Sequence, residues 1–210
     1  MVNVSDMTDR IRRLTGIRMP EILSDDQILQ LINESYREIM TLTDWPFLYV
    51  EHTATVNDGM FQTAPVFRVI NSAVIGDHRL RETTLNDLES YEQPDADPFA
   101  YARIDSNRFK VWPAPADGTQ IHLRGVQSPP DLYDPSDEPV FEKDYHIILA
   151  YAASSRALAE EADDSGRAAA YMQEAGAVLD RMRMRYIVTH DKGIFRMGGK
   201  RSSRPRWRTW

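Results

Sequence analysis

The spacing of hydrophobic residues changes twice along the chain, from helical to alternating and back to helical. In the first part, Ser24 and Gln27 form a capping-box pattern, followed by apolar residues at helical intervals. A shorter helix is expected before it, beginning at Ser5 or Asp6 and stopping at Gly16. The apolar stripe of the longer predicted helix consists of Ile28, Leu31, Ile32, Tyr36, Ile39 and Met40.

After Pro46 apolar and polar residues alternate, which is typical of a β-strand. The segment from Asn57 to Gly59 that follows is a strong turn signal. Further short apolar runs predict more strands, and Thr84 with Asp87 predicts a short helix among them. Regular short strands of this kind favour a small antiparallel sandwich or barrel. The further predicted strands are residues 66–75, 99–104, 109–112 and 120–126.

Helical spacing returns near Phe141 and continues to about His190, with turn residues interrupting it at 163–166. Because the interruption is short, the two predicted helices should form an antiparallel hairpin. The sequence therefore predicts an α+β fold whose N- and C-terminal helices form one bundle. The expected parts are a helical bundle of residues 1–46 and 139–191, an inserted small antiparallel β module of residues 47–138, and an extended C-terminal arm of residues 192–210.

The last nineteen residues, from Lys192 to Trp210, differ in composition from the chain before them. Seven are basic and none is acidic; subtracting these seven from 25 basic residues leaves 18 on the body, against 32 acidic residues. The formal charge is therefore −14 on the body and +7 on the tail. Because an acidic body repels nucleic-acid phosphates, only the tail has the charge to hold them.

Three roles fit this basic and aromatic tail: a disordered solubility tail, an arm that binds DNA, or an arm that docks into a partner protein. Its large apolar residues argue against the first role, since exposed aromatics promote aggregation. We favour docking over DNA binding, because burying such side chains offsets the cost of ordering the tail. The predicted partner-binding residues are Ile194, Phe195, Arg196, Met197, Arg201, Arg204, Arg206, Trp207, Arg208 and Trp210.

Catalytic and metal-binding signatures are missing from the sequence. It has no cysteine and its five histidines are scattered, so we expect no catalytic residue, no metal and no cofactor. His146, beside Asp144, has the chemistry of a general base, but a histidine with ordinary structural hydrogen bonds is the favoured interpretation. An acidic, proline-rich connector spans residues 127–139. It either binds a hard cation or forms a solvated loop, and we favour the loop. Its acidic residues are Asp131, Asp134, Asp137 and Glu138.

The C-terminal helices carry two features that fit either packing or an interface. The alanines of 150–162 and 168–170 allow close approach of helices, within the bundle or between subunits, and the sequence leaves both open. Arg181, Arg183 and Arg185 spread around the helix, so a solvated face with ion pairs is favoured over DNA contact. Since no apolar run approaches the roughly 20 residues of a membrane span, we expect no membrane partner.

In its order of elements the chain resembles the tailed-bacteriophage head-to-tail adaptor, or connector, family. The resemblance covers nearly the whole chain, and the segments that carry it are residues 28–48 with a Trp45-Pro46 exit, 111–123, 128–141 and 144–164. The resemblance implies a structural protein, not an enzyme, that assembles into a twelve-subunit ring. It also implies a helical bundle that bears a β module, and a C-terminal arm that reaches the portal.

The resemblance further implies partners and a location. The partners are the portal protein, tail-side connector or tail proteins, further copies of the chain, and DNA that passes without sequence-specific binding. The location is the head–tail junction of the virion, after assembly in the bacterial host cytoplasm. The expected function is an adaptor that forms a ring beneath the portal, joins it to the tail and lines the DNA channel. The alternative is a nucleic-acid-binding packaging accessory protein that uses its basic arm on DNA.

Overall fold

A computed structural model describes residues 3–91 and 96–194, and within them a layer of helices adjoins a strongly curved sheet. The helices are α1 (Val4–Thr15), α2 (Asp25–Thr41), α3 (Leu85–Ser90), α4 (Ile147–Glu161) and α5 (Ser165–Ile194), with short 3-10 turns at Pro46–Leu48 and Lys143–Tyr145. The strands are β1 (Tyr49–Val56), β2 (Met60–Gln62), β3 (Phe67–Ile75), β4 (His78–Thr83), β5 (Ala100–Arg103), β6 (Arg108–Trp112) and β7 (Thr119–Gln127).

The ends of the first two helices follow from local hydrogen bonds. Helix α1 is capped by Asn3, whose side chain accepts a hydrogen bond from the backbone of Asp6 at 2.9 Å, and not by Ser5 or Asp6 as predicted. Gly16 ends the helix as predicted, with a φ of 77° that favours glycine. The capping box predicted for α2 is confirmed, with its two reciprocal hydrogen bonds at 2.7 and 3.2 Å.

Helix α4 packs against α1, α2 and α5, and the start of α5 also meets the end of α1, where Tyr171 donates a hydrogen bond to the carbonyl oxygen of Leu14 at 3.0 Å. The alanines of α4 at 150, 153 and 157 are fully buried. Such small side chains let three neighbouring helices approach closely, which is the packing role that the sequence allowed for them. The apolar stripe predicted for α2 is buried in this core, together with Met7 and Ile11 of α1 and Val178 and Met182 of α5.

The sheet has the strand order β1-β7-β3-β4-β5-β6-β2, so its two ends are consecutive strands of the chain. Asn57 and Met60 exchange backbone hydrogen bonds at 2.8 and 2.9 Å across the predicted turn, which brings these ends together into a nearly closed barrel. Phe61 and Phe109 stack inside the barrel with ring centroids 4.9 Å apart. The pairs are antiparallel except β4 with β5, which run parallel because α3 lies in the connection between them.

The predicted fold class, a helical bundle with a small antiparallel β module, is wrong. The structure has five helices in its described part, and the strands form a seven-stranded, nearly closed sheet rather than a small module. Two strands escaped prediction: β2 has only three residues, and β4 buries only Leu80, so neither shows a clear alternation. The domain boundaries stay a prediction, and residues 195–210 of the predicted arm lie outside the described residues.

Arg68 of β3 joins the barrel to the helical layer. Its guanidinium donates to the carbonyl oxygens of Met40 and Thr43, at 2.9 and 3.2 Å, and pairs with Asp44 at 2.5 Å. These carbonyls lie at the end of α2, where a helix has unsatisfied acceptors and a partial negative charge. The side chain therefore fixes the barrel against the C-terminus of α2.

Candidate interaction surfaces

The predicted arm begins inside the last helix. Helix α5 continues through Ile194, although the sequence predicted an end near His190, so residues 192–194 are helical. The other predicted arm residues, from Phe195 to Trp210, lie outside the described residues, and their binding role stays a prediction.

An aromatic cluster holds α5 about two turns before Ile194. The Tyr186 ring contacts Phe47 edge-on at 5.0 Å and Trp45 at 6.2 Å between centroids. Its hydroxyl accepts a hydrogen bond from the backbone of Glu142 at 3.4 Å, and burial raises the pKa of Tyr186. Because Phe47 lies in the short 3-10 turn before β1, this cluster holds α5 at the junction of helices and barrel.

The outer face of α5, the side turned away from α4, is exposed and carries one charged residue, Arg181. Its members recur at three- and four-residue intervals, which places them on one side of a helix. Met184 is the large apolar side chain of this face and exposes 64% of its surface. The outer face consists of Ala170, Gln173, Ala177, Arg181 and Met184.

The three arginines at the end of α5 have different surroundings. Arg183 lies 3.8 Å from Asp180, and Arg185 lies 3.8 Å from Glu142 while its side chain remains 63% exposed. Arg181 is exposed on the outer face of α5. The predicted solvated face with ion pairs therefore describes Arg183 and Arg185, both at long distance and of small energetic value.

Helices α1 and α2 and the connector line a groove of about 430 Å³, which we call the acidic groove. Tyr133 of the connector stands at its edge and is 74% exposed. Arg12 lines the groove but is already paired with Asp25 at 2.6 Å. The residues of the acidic groove that matter below are Asp9, Arg12, Asp25, Asp26, Leu29 and Tyr133.

Two side chains of α2 hold the connector in place, and the sequence analysis gave neither this role. Asn33 donates to the carbonyl oxygen of Leu132 and accepts from its N–H, both at 2.8 Å. Tyr36 accepts a hydrogen bond from the backbone of Val140 at 3.2 Å, and burial raises its pKa. The available signal was a polar residue inside an apolar stripe, since Asn33 is buried among the hydrophobic positions of α2.

Three acidic side chains of the connector, Asp131, Asp137 and Glu138, are hydrogen-bonded or paired within the protein. The Asp137 carboxylate accepts hydrogen bonds from the backbone N–H groups of Tyr133 and Asp134, at 2.7 and 2.9 Å, and these bonds lower its pKa. Asp131 lies 3.6 Å from Arg37, and Glu138 pairs with a lysine at 3.0 Å. In residues 3–91 and 96–194, no group of three or more His, Asp or Glu side chains is arranged to hold a metal.

His146 has a structural position. Its side chain is fully buried, and Nε2 donates a hydrogen bond to the carbonyl oxygen of Phe141 at 2.8 Å. The ring also contacts the Phe141 ring edge-on, with centroids 5.1 Å apart. A histidine without solvent access cannot meet a substrate, so the general-base interpretation receives no support from its geometry.

The comparisons with known proteins agree with an assembly component. The family model described as SU10 adaptor protein matches residues 2–198, which is nearly the whole chain. A search of curated proteins gave no match. No helix in the described part of the chain is long and apolar enough to cross a membrane.

Proposed function

We propose, from the premise that this chain belongs to the SU10 adaptor protein family, that it forms a homo-oligomeric ring beneath the portal, joins the portal to the tail and lines the DNA channel. The observation that carries the proposal is the family match over residues 2–198. An adaptor of this family is a structural protein of the phage head–tail junction. The charge of −14 on the body supports the channel role, since an acidic wall repels DNA phosphates.

We assign portal binding to the C-terminal arm. The aromatic contacts of Tyr186 hold α5 against the junction of helices and barrel shortly before the arm begins. Phe195, Trp207 and Trp210 are the proposed apolar anchors, and the arm's arginines would pair with carboxylates or carbonyl oxygens of the portal. Anchors of this kind contribute roughly 2 kcal/mol each, which is about 30-fold in affinity.

The test is removal of residues 195–210, which leaves α5 intact to Ile194. Because every described core residue lies before the deletion, the melting temperature of the truncated chain should equal that of the full chain. Association with the portal, measured by native mass spectrometry of the mixture, should be lost. A full-length variant with Phe195, Trp207 and Trp210 changed to Ser should behave in the same way.

A matched control changes Ser202 and Ser203 of the same arm to Ala, and it should bind the portal normally. Normal portal binding by the truncated chain would refute the docking role. A large fall in melting temperature would show that the tail belongs to the core. If the full chain instead binds DNA in a salt-sensitive manner and truncation removes that binding, the arm serves the packaging accessory function.

A further inference from the structure

We propose that neighbouring copies of the chain join through two different faces: the outer face of α5 of one copy packs into the acidic groove of the next. The inference rests on the proposed ring and names the surfaces that close it. A closed ring requires a heterologous interface, in which one patch of each subunit meets a different patch of its neighbour. The occupant of the acidic groove is thus a second copy of this chain.

The two faces are separate patches, as this requirement demands. The outer face belongs to α5, whereas α1, α2 and the connector line the acidic groove. Because the two patches share no residue, a subunit can offer one patch to each of two neighbours.

The shape of the outer face of α5 suits the insertion of a helix between two others. Ala170 and Ala177 are small and exposed, so the helix backbone can approach a partner closely. Met184 supplies an adaptable apolar side chain at the end of this face. In the acidic groove, Leu29 and the exposed ring of Tyr133 offer apolar surface for it.

Charge complementarity selects the acidic groove as the partner. Arg181 lies on the outer face of α5, and Arg185, one turn further along the helix, lies beside this face with its side chain 63% exposed. The acidic groove presents Asp9 and Asp26, while the positive charge of Arg12 is taken up by Asp25 at 2.6 Å. Opposite charges of this kind fix the register of two subunits and disfavour contact between two like faces.

A charge-swap experiment tests the pairing in the full-length chain. One variant carries Arg181→Glu with Arg185→Glu, a second carries Asp9→Arg with Asp26→Arg, and a third carries all four changes. Native mass spectrometry, with and without the portal, reports the number of copies that associate. Each face variant should weaken association between copies by at least about tenfold, and the combined variant should recover it.

The control reverses two arginines of the barrel, Arg79→Glu with Arg124→Glu, and changes the net charge by the same amount as the first variant. It should assemble like the wild type. A separate single variant, Ala177→Glu, places a longer side chain on the outer face of α5 and should also block association between copies. Melting curves identical to wild type are expected for the α5 variants, because the changed side chains are exposed.

The outcomes separate this proposal from the proposed function. Wild-type association in either face variant, or loss in both without recovery in the combined variant, would overturn the pairing and leave the ring itself standing. A wild-type chain that reaches the portal only as a single copy would overturn the ring. Loss in the single-face variants with recovery in the combined variant supports the assigned faces.

Discussion

The sharpest test of the fold is the substitution Asn33→Ala, which removes the bridge between α2 and the connector. The amide of Asn33 occupies both backbone groups of Leu132, with two hydrogen bonds of 2.8 Å. Asn33 is only 8% exposed and Leu132 only 3%, so water has little access to the groups left behind. The connector also carries Tyr133, which forms one edge of the acidic groove.

The magnitude follows from the two backbone groups that lose their partner. A buried donor or acceptor without a hydrogen bond costs about 1–3 kcal/mol. Partial access of water after the change keeps each group near the lower part of that range, so the free energy of unfolding should fall by about 2–4 kcal/mol. For a chain of 210 residues this lowers the melting temperature by about 4–16 °C.

The assay is urea and thermal unfolding of wild type, Asn33→Ala and a control on the same helix. Gln30→Ala removes an exposed amide that donates to Glu34, and it should change the free energy of unfolding by less than about 0.5 kcal/mol. Asn33→Asp keeps the acceptor for the Leu132 N–H but loses the donor, so it should also destabilise. A loss for Asn33→Ala no larger than the Gln30 control would refute the reasoning.

Two further predictions concern the barrel and the connector. A Cβ at Gly125 would lie 2.1 Å from the carbonyl oxygen of Val69, so Gly125→Ala should lower the free energy of unfolding by about 3 kcal/mol or more. The control Gly176→Ala, whose Cβ would meet no described atom within 4 Å, should raise the free energy of unfolding by about 0.5–1 kcal/mol. Similar losses of melting temperature in both variants would contradict the predicted clash at Gly125. The backbone of Tyr133 and Asp134 lowers the pKa of Asp137 below 3.8, so its contribution is complete above that pH and is lost as pH falls through the lower folded-state pKa. The difference in melting temperature between wild type and Asp137→Asn should accordingly shrink in acid, and a pH-independent difference would count against this assignment.

The helices were predictable because their signals are local. The structure confirms the capping box at Ser24, the stop at Gly16 and the apolar stripe of α2. Each of these signals lies within a single helix or at its end. The start of α1 was predicted too late because Ser5 and Asp6 compete with Asn3, which is also a good cap residue. Local propensity alone does not decide between three such neighbours.

The sheet was predicted less well because its pairing is non-local. Strands β1 and β7, whose residues Tyr49 and Val126 face each other, are joined only by contacts distant in sequence. The parallel pairing of β4 with β5 requires the chain to cross through α3, a connection that alternation of side chains does not encode. Short and mostly exposed strands such as β2 and β4 acquire their identity from neighbours rather than from their own pattern.

The two candidate surfaces differ in the same respect: the tail is visible in the local sequence, whereas the acidic groove depends on contacts distant in sequence. The tail was conspicuous in the sequence because seven basic residues and several aromatics follow each other directly. The acidic groove was not, because it combines α1, α2 and a connector held by Asn33 at a separation of 99 residues. Asp25 and Asp26 are ordinary first-turn residues of α2 and Asp9 lies in the middle of α1, so only the fold places them around one concave surface.

Helix α5 links the two proposals in one element. Its inner face packs on α4, its outer face would meet the next copy, and its C-terminal end would lead into the portal-binding arm. If ring closure holds α5 in each subunit, the arms leave the ring from equivalent, fixed positions. Several arms then bind one portal ring together, so that modest affinity in each arm yields a much stronger joint attachment. The rigid contact of Tyr186 with Phe47 matters here, because avidity is lost when the starting points of the arms do not match the spacing of their sites.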